Sequence, residues 1–252
     1  MRYVAIGDSF TEGLGDDVAQ GAVRGWADLV AAGLAVAGDE VWYANLAIRG
    51  HLIQRIVDSQ LEPALALDPA PDLMTFSGGG NDMLRRGFDI DYAMSLAERV
   101  ITRCAQSGTK LLVASGSDPT DGLPQSKSIL ARGNVFMDRT RELLDQYPEV
   151  TFVDNFSDQE LRCGDYWAPD RLHLNATGHA RVAARVLTAL GVQTPLPTAD
   201  DAPSARRGVL TEAKYVGAYV LPWIGRRVTR KSSGDGREPK FADWTRIDHV
   251  QV

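Results

Sequence analysis

Tyr3-Val4-Ala5-Ile6-Gly7-Asp8-Ser9-Phe10-Thr11-Glu12-Gly13 is the stretch that decides how the chain is read. Four residues suited to a buried strand run directly into a polar loop punctuated by glycine. That is how a strand hands over to a helix in a parallel sheet. The same hand-over recurs downstream. Short apolar runs predict strands at residues 3–6, 40–46, 73–77, 110–115 and 151–154, and stretches of helical period predict helices at 25–37, 53–67, 90–107, 134–146 and 176–190. Pro69-Ala70-Pro71 stops the second helix before the third strand. Alternation of this kind predicts an α/β fold with a parallel sheet.

Beyond Gly191 the character changes. Thr194-Pro195-Leu196-Pro197-Thr198, followed by Asp200, Asp201 and Pro203, reads as a linker. The expected organisation is one domain at 1–193 and a linker with a C-terminal extension at 194–252. Residues 200–252 hold ten Lys/Arg and seven Asp/Glu, whereas the rest of the chain holds 17 against 26. Opposite charge balance predicts an extension that docks back on the body. Within it Val209, Leu210, Ala213, Val216, Val220 and Leu221 form a short apolar stripe ending at Pro222-Trp223, with Arg226, Arg227, Arg230 and Lys231 after it. A helix packed on the chain's own surface fits this stripe better than a helix lying in a membrane interface, because the polar face carries few cations.

Bulk composition excludes several classes. In 252 residues, 44% are hydrophobic and 24% charged, an ordinary globular balance that excludes disorder. A net charge of −6 excludes broad electrostatic binding to nucleic acid, which needs a basic field. The first apolar run is too short for a signal-peptide core, and no run approaches the roughly 18 apolar residues of a membrane span. Two cysteines, Cys104 and Cys163, make no disulfide framework and point to a reducing compartment. The expected setting is the cytoplasm, without membrane association.

Chemistry concentrates where strands end, the usual ligand crevice of an open α/β sheet. Four polar clusters fall there: Gly7-Asp8-Ser9-Phe10, Asn45-Leu46-Ala47-Ile48-Arg49-Gly50, Gly78-Gly79-Gly80-Asn81-Asp82 and Asp170-Arg171-Leu172-His173. Ser9 is a candidate nucleophile, which a hydroxyl becomes only beside a base. His173 suits that role, since an imidazole takes and returns a proton near neutrality. Asp170, three residues earlier, is placed to fix its tautomer and stabilise the imidazolium. Candidate donors for an oxyanion are the Ser9 amide, the Gly50 amide and the Asn81 side chain. Each residue alone has a blander reading. Ser9 and Asn81 could cap helices, Asp8 could bond turn amides, and the glycines could form a plain turn. The run at 78–80 lacks the layout of a dinucleotide or phosphate loop. No His/Cys/Asp spacing resembles a metal site, so neither metal nor cofactor is expected.

Together the four blocks resemble, in order and spacing, the signature blocks of the GDSL-type, or SGNH, esterase/lipase family. The resemblance spans residues 7–173, and about the first 190 with the following helix; Phe10 stands where the name-giving pattern has Leu. It implies a flavodoxin-like three-layer α/β/α fold with a five-stranded parallel sheet, the SGNH hydrolase fold. It also implies metal-free hydrolysis of acyl esters, with Ser9, His173 and Asp170 as triad and Ser9, Gly50 and Asn81 as oxyanion donors. A basic, Trp-containing extension is known on some actinobacterial members.

Substrate choice is expected from two loops, 116–133 and 158–169. The second places Tyr166 and Trp167 just before the catalytic pair, as an aromatic wall or as core. Asp8, Tyr166 and Trp167 are the candidate substrate contacts. Arg49, Arg85 and Arg86 flank the oxyanion blocks, either solvated or facing an anionic substrate. His51 is a candidate cleft residue, and His179 a surface or core-edge one. A short acyl group on a soluble ester is the expected substrate, since nothing resembles a lipase lid. Acyl transfer, thioester hydrolysis and a non-catalytic binding module on the same fold stay open, as does the oligomeric state.

Overall fold

Strand β1 (Arg2–Ile6) sends alternate side chains into two cores, and this alternation builds the molecule. Tyr3 and Ala5 face one apolar cluster, Val4 and Ile6 the other. The structure, a computed structural model, describes residues 1–18, 21–38, 40–122, 126–198 and 233–247. β1 pairs in parallel with β2 (Val41–Asn45) on one side and β3 (Leu73–Phe76) on the other. β3 pairs with β4 (Lys110–Ala114) and β4 with β5 (Thr151–Val153), again in parallel. These five strands stand in the spatial order 2-1-3-4-5, the flavodoxin-like winding. The order reverses between β1 and β3, so a crevice opens at their carboxyl ends.

Two layers cover the sheet. On the Tyr3 face lie α2 (Trp26–Val36) and α8 (Ala176–Ala189). On the Val4 face lie α3 (Ile53–Ile56), a π-helical turn at Val57–Leu61, α4 (Glu62–Leu65), α6 (Ile90–Ser107) and α7 (Ser126–Leu144). Two one-turn helices follow the central strands: α1 (Ser9–Glu12) after β1 and α5 (Gly80–Met83) after β3.

Three expectations need correction. The sheet has six strands. β6 (Phe241–Ile247), from the C-terminal extension, pairs antiparallel with β2 and shifts register between Tyr43 and Asn45. It covers an edge that would otherwise present unpaired backbone groups, and its Phe241 ring packs 5.7 Å from that of Tyr43. The helix expected at 134–146 begins at Ser126, so the loop expected over 116–133 is shorter. Gly133 is no breaker: a Cβ there would come within 2.3 Å of the Phe156 ring. The single helix expected at 53–67 is interrupted by its π turn. The apolar stripe at 209–221 and Arg226, Arg227, Arg230 and Lys231 after it lie outside the described residues. Among those described, no helix is long and apolar enough to cross a membrane.

Candidate active site

Gly7 follows β1 at a point with no room for a side chain. A Cβ would lie 2.8 Å from the Ser77 carbonyl oxygen and 2.4 Å from Thr11 Oγ1. Gln60 clamps this glycine, its Oε1 accepting from Gly7 N (2.8 Å) and its Nε2 donating to Gly7 O (2.9 Å). Asp8 then caps α1, Oδ1 accepting from Phe10 N at 3.1 Å, which leaves Ser9 at the first helical position.

Across the crevice, Asp170 and His173 come from the turn before α8. Asp170 Oδ1 accepts from the amides of Leu172 and His173, both at 3.0 Å. Arg171 bridges them at φ 57°, in the left-handed region. Asp170 Oδ2 lies 2.5 Å from His173 Nδ1. A carboxylate only accepts, so Nδ1 carries the proton and Nε2 presents a lone pair. That lone pair faces Ser9 Oγ at 3.0 Å, between residues 164 apart in sequence. Burial alone would raise Asp170; the hydrogen bond and charge of His173 with the two amides hold its carboxyl below the usual range.

Asn81 stands on α5. Gly79 ahead of it has φ 92°, and a Cβ there would lie 2.5 Å from the Phe136 ring. Asn81 Nδ2 donates to Asp8 Oδ2 and to the His51 carbonyl, both at 3.0 Å. Burial pushes the Asp8 carboxyl up to about 6. Asp82, next on α5, accepts from Ile53 N at 3.0 Å and ties the turn at 46–52 to α5.

Ser9, Asp8, Asn81 and His173 thus share one cleft with a cavity volume of about 80 Å³. Its wall is mostly apolar: Leu14, Met83, Leu84, Pro119, Trp167, Leu172 and Leu174. Among the lining residues only Asp8 and His173 ionise. Trp167 is held there by its indole N–H donating to the Leu161 carbonyl at 2.8 Å.

Other expectations resolve differently. Tyr166 faces the core, not the cleft. It is fully buried, and its hydroxyl donates to Glu160 at 2.9 Å, so of the two neighbours only Trp167 reaches the cleft, where Phe10 is the other aromatic residue of the lining. Gly50 takes φ 77° in the turn after β2, outside the residues that line this cavity. Arg49 does not face the cleft: its backbone and guanidinium donate to the Glu12 carboxylate. Arg85 and Arg86 are exposed away from the cavity lining. His51 is buried, Nδ1 accepting from Gln60, and enters the site through its carbonyl. His179 is fully buried, Nδ1 accepting from Trp26 N and Nε2 donating to the Leu14 carbonyl. Acceptance at Nδ1 requires a neutral ring, and burial pushes its pKa down to about 4. Cys104 packs in the core, where burial raises its thiol to about 12. The sequence reading missed Gln60 and the apolar lining residues from 83, 84, 172 and 174. Leucine and methionine in a cleft look like core residues in sequence. Among the described residues no group of His, Cys, Asp and Glu could hold a metal ion.

Comparison with known proteins agrees in fold. Residues 5–181 match the model of the GDSL-like Lipase/Acylhydrolase family. No curated protein sequence matches the chain. Among solved structures, the psychrotrophic esterase EstA from Pseudoalteromonas sp. superposes with a TM-score of 0.59 at 15% identity, over 75% of this chain and 96% of that one. An acetylxylan esterase from Geobacillus stearothermophilus gives 0.59 at 15% identity, over 76% and 94%. The lipase/acylhydrolase from Enterococcus faecalis gives 0.57 at 16% identity, over 82% and 99%.

Proposed function

The chain belongs to the GDSL-like Lipase/Acylhydrolase family, whose members hydrolyse ester bonds, and from that premise we propose that it hydrolyses short-chain carboxylic esters through an acyl-enzyme on Ser9. The observation that carries the reading is the line of contacts Ser9 Oγ, His173 Nε2, His173 Nδ1, Asp170 Oδ2.

In the proposed reaction Ser9 Oγ attacks the ester carbonyl and its proton passes to His173 Nε2. Asp170 stabilises the imidazolium without taking a proton. The carbonyl oxygen becomes an oxyanion, held by the Ser9 amide and Asn81 Nδ2, with the Gly50 amide as the third donor assigned. Collapse breaks the bond to the alcohol, which leaves with the proton from His173. Water then enters, gives its proton to the same Nε2, and releases the acid as Ser9 regains its hydrogen.

The cleft argues for a short acyl group. A cavity of about 80 Å³ lies well below the ~300–1,000 Å³ of pockets that bury larger ligands. Its wall, from Leu84 and Trp167 to Leu172, is apolar and offers a bound acyl chain no cation. Each methylene left uncovered forgoes about 0.8 kcal/mol of burial. Asp8 contributes by orienting Asn81, and Trp167 by contact with substrate. The setting proposed is the cytoplasm, on a sequence whose two cysteines are too few for a disulfide framework.

The test is a series of p-nitrophenyl esters of increasing acyl length. The rate should peak at about two to four carbons and fall beyond. A maximum at dodecanoyl or longer contradicts the small acyl site.

A further inference from the structure

The C-terminal segment at 233–247 lies beyond the family match at 5–181, yet it touches the catalytic turns at two points. The first is Lys240. Its ammonium donates to the Glu12 carbonyl at 2.6 Å, the Arg24 carbonyl at 2.7 Å and Asp28 Oδ2 at 2.6 Å. Glu12 ends the single turn that begins with Ser9. Three N–H donors therefore meet three strong acceptors, one at the C-terminal end of the nucleophile's own helix, where a cation is favoured. Asp28 extends the anchor: it accepts from the Tyr43 hydroxyl at 2.7 Å, Asn45 Nδ2 donates to that hydroxyl at 2.8 Å, and the same Nδ2 donates to the Thr11 carbonyl at 3.0 Å. Two consecutive carbonyls at the end of α1 are thus held by one network rooted in Lys240.

The second point is Gly234. A Cβ there would stand 2.2 Å from the Arg49 carbonyl oxygen and 2.8 Å from Ile48 Cγ2, so the extension's backbone lies against the turn after β2. Glu12 grips the other side of that turn through Arg49. Two residues on, the His51 carbonyl accepts from Asn81 Nδ2. The turn is therefore held between the extension and α1, and it orients the donor expected to meet the oxyanion.

We propose that the C-terminal segment is a positioning element for catalysis, with Lys240 setting the nucleophile's helix and Gly234 seating the turn that orients Asn81. The inference rests on the esterase reading above. Displacement of a catalytic group by about 1 Å can cost about 10²-fold in rate, so a brace at these two points acts on turnover more than on binding.

The experiment compares three variants of the full-length protein with wild type on p-nitrophenyl acetate, well below the unfolding midpoint. Lys240→Met and Gly234→Ala should each lower kcat tenfold or more with KM within about twofold, and slow fluorophosphonate labelling in parallel. Trp244→Ala serves as the control. Trp244 lies on β6 but bonds the Pro69 carbonyl, so the change should lower the melting temperature and leave kcat within twofold. If either Lys240→Met or Gly234→Ala keeps wild-type kcat, or if Trp244→Ala loses as much as they do, the proposal is overturned. Should Lys240→Met fail to fold, Gly234→Ala against Trp244→Ala decides alone. A wild-type protein that neither turns over the ester nor takes the probe overturns the esterase reading instead.

Discussion

Asn81 spends both protons of its side-chain amide inside the protein, one on Asp8 Oδ2 and one on the His51 carbonyl. The amide is held at the cleft before any substrate arrives, and to meet the oxyanion one of these two N–H groups is shared with it or released from its present acceptor as charge develops on the carbonyl oxygen. Asn81→Ala should lower kcat by about 10²–10³, the usual loss for one oxyanion donor. KM should move little, because the contact strengthens only in the transition state. Steady-state kinetics on a soluble ester reads both, and a change confined to KM would assign Asn81 to ground-state binding.

Asp170 accepts two backbone amides as well as His173. Asp170→Asn keeps the shape but presents an N–H to one of these donors, which disturbs the turn and favours the wrong imidazole tautomer. The same change in a serine-protease triad costs on the order of 10⁴ in kcat, and a loss of that order is expected here. Activity within tenfold of wild type would mean that the histidine is oriented by another group.

His179 and Asp8 give opposite pH dependences to stability. Burial lowers His179 from 6.5 to about 4, so the unfolded chain binds the extra proton and stability falls as pH drops through 6.5 towards 4. Burial raises Asp8 from 3.8 to about 6, so the folded state binds the proton first and stability rises as pH falls through 6. At about 1.4 kcal/mol per unit, each shift corresponds to roughly 3 kcal/mol when complete. His179→Gln removes the first effect. Thermal unfolding at pH 7 and pH 5 should show the variant losing less stability on acidification than wild type, or gaining some. Equal acid sensitivity in both would contradict a neutral buried His179.

Gly13 and Gly25 let the end of α1 approach the start of α2. Gly13 has φ 100°, and a Cβ there would lie 1.8 Å from the Arg24 carbonyl oxygen. Gly13→Ala should cost about 1–3 kcal/mol for the left-handed backbone alone, with the clash added. Denaturant unfolding measures it. A loss under 0.5 kcal/mol, the range of an ordinary surface substitution, would show that the two turns are not so closely packed.

The five parallel strands and the Ser9, Asn81, Asp170 and His173 blocks were legible because each strand is a continuous apolar run with its polar residues just beyond its end. β6 was not. Phe241, Trp244 and Ile247 recur every third residue, since the register shift opposite Tyr43 and Asn45 breaks the period of two that marks a strand. The start of α7 was hidden by Gly133, whose absent side chain serves Phe156 packing. Tyr166 and Trp167 are neighbours of similar chemistry, and only the backbone between them decides that one is core and the other cleft. Lys240 reads as one cation in a basic tail until folding brings it to Glu12 and Asp28.

The central claim, that Ser9 is the nucleophile activated by His173, is tested most directly by fluorophosphonate labelling and ester turnover of Ser9→Ala beside wild type. Ser9 Oγ meets His173 Nε2 at 3.0 Å and lies outside both apolar cores, so the variant should fold with an unchanged melting profile. Wild type should take one probe per chain on Ser9, and the variant none. Turnover should fall on the order of 10⁵–10⁶-fold, as when a triad nucleophile is removed. A folded Ser9→Ala protein that still labels, or keeps more than a few per cent of the activity, would contradict the account.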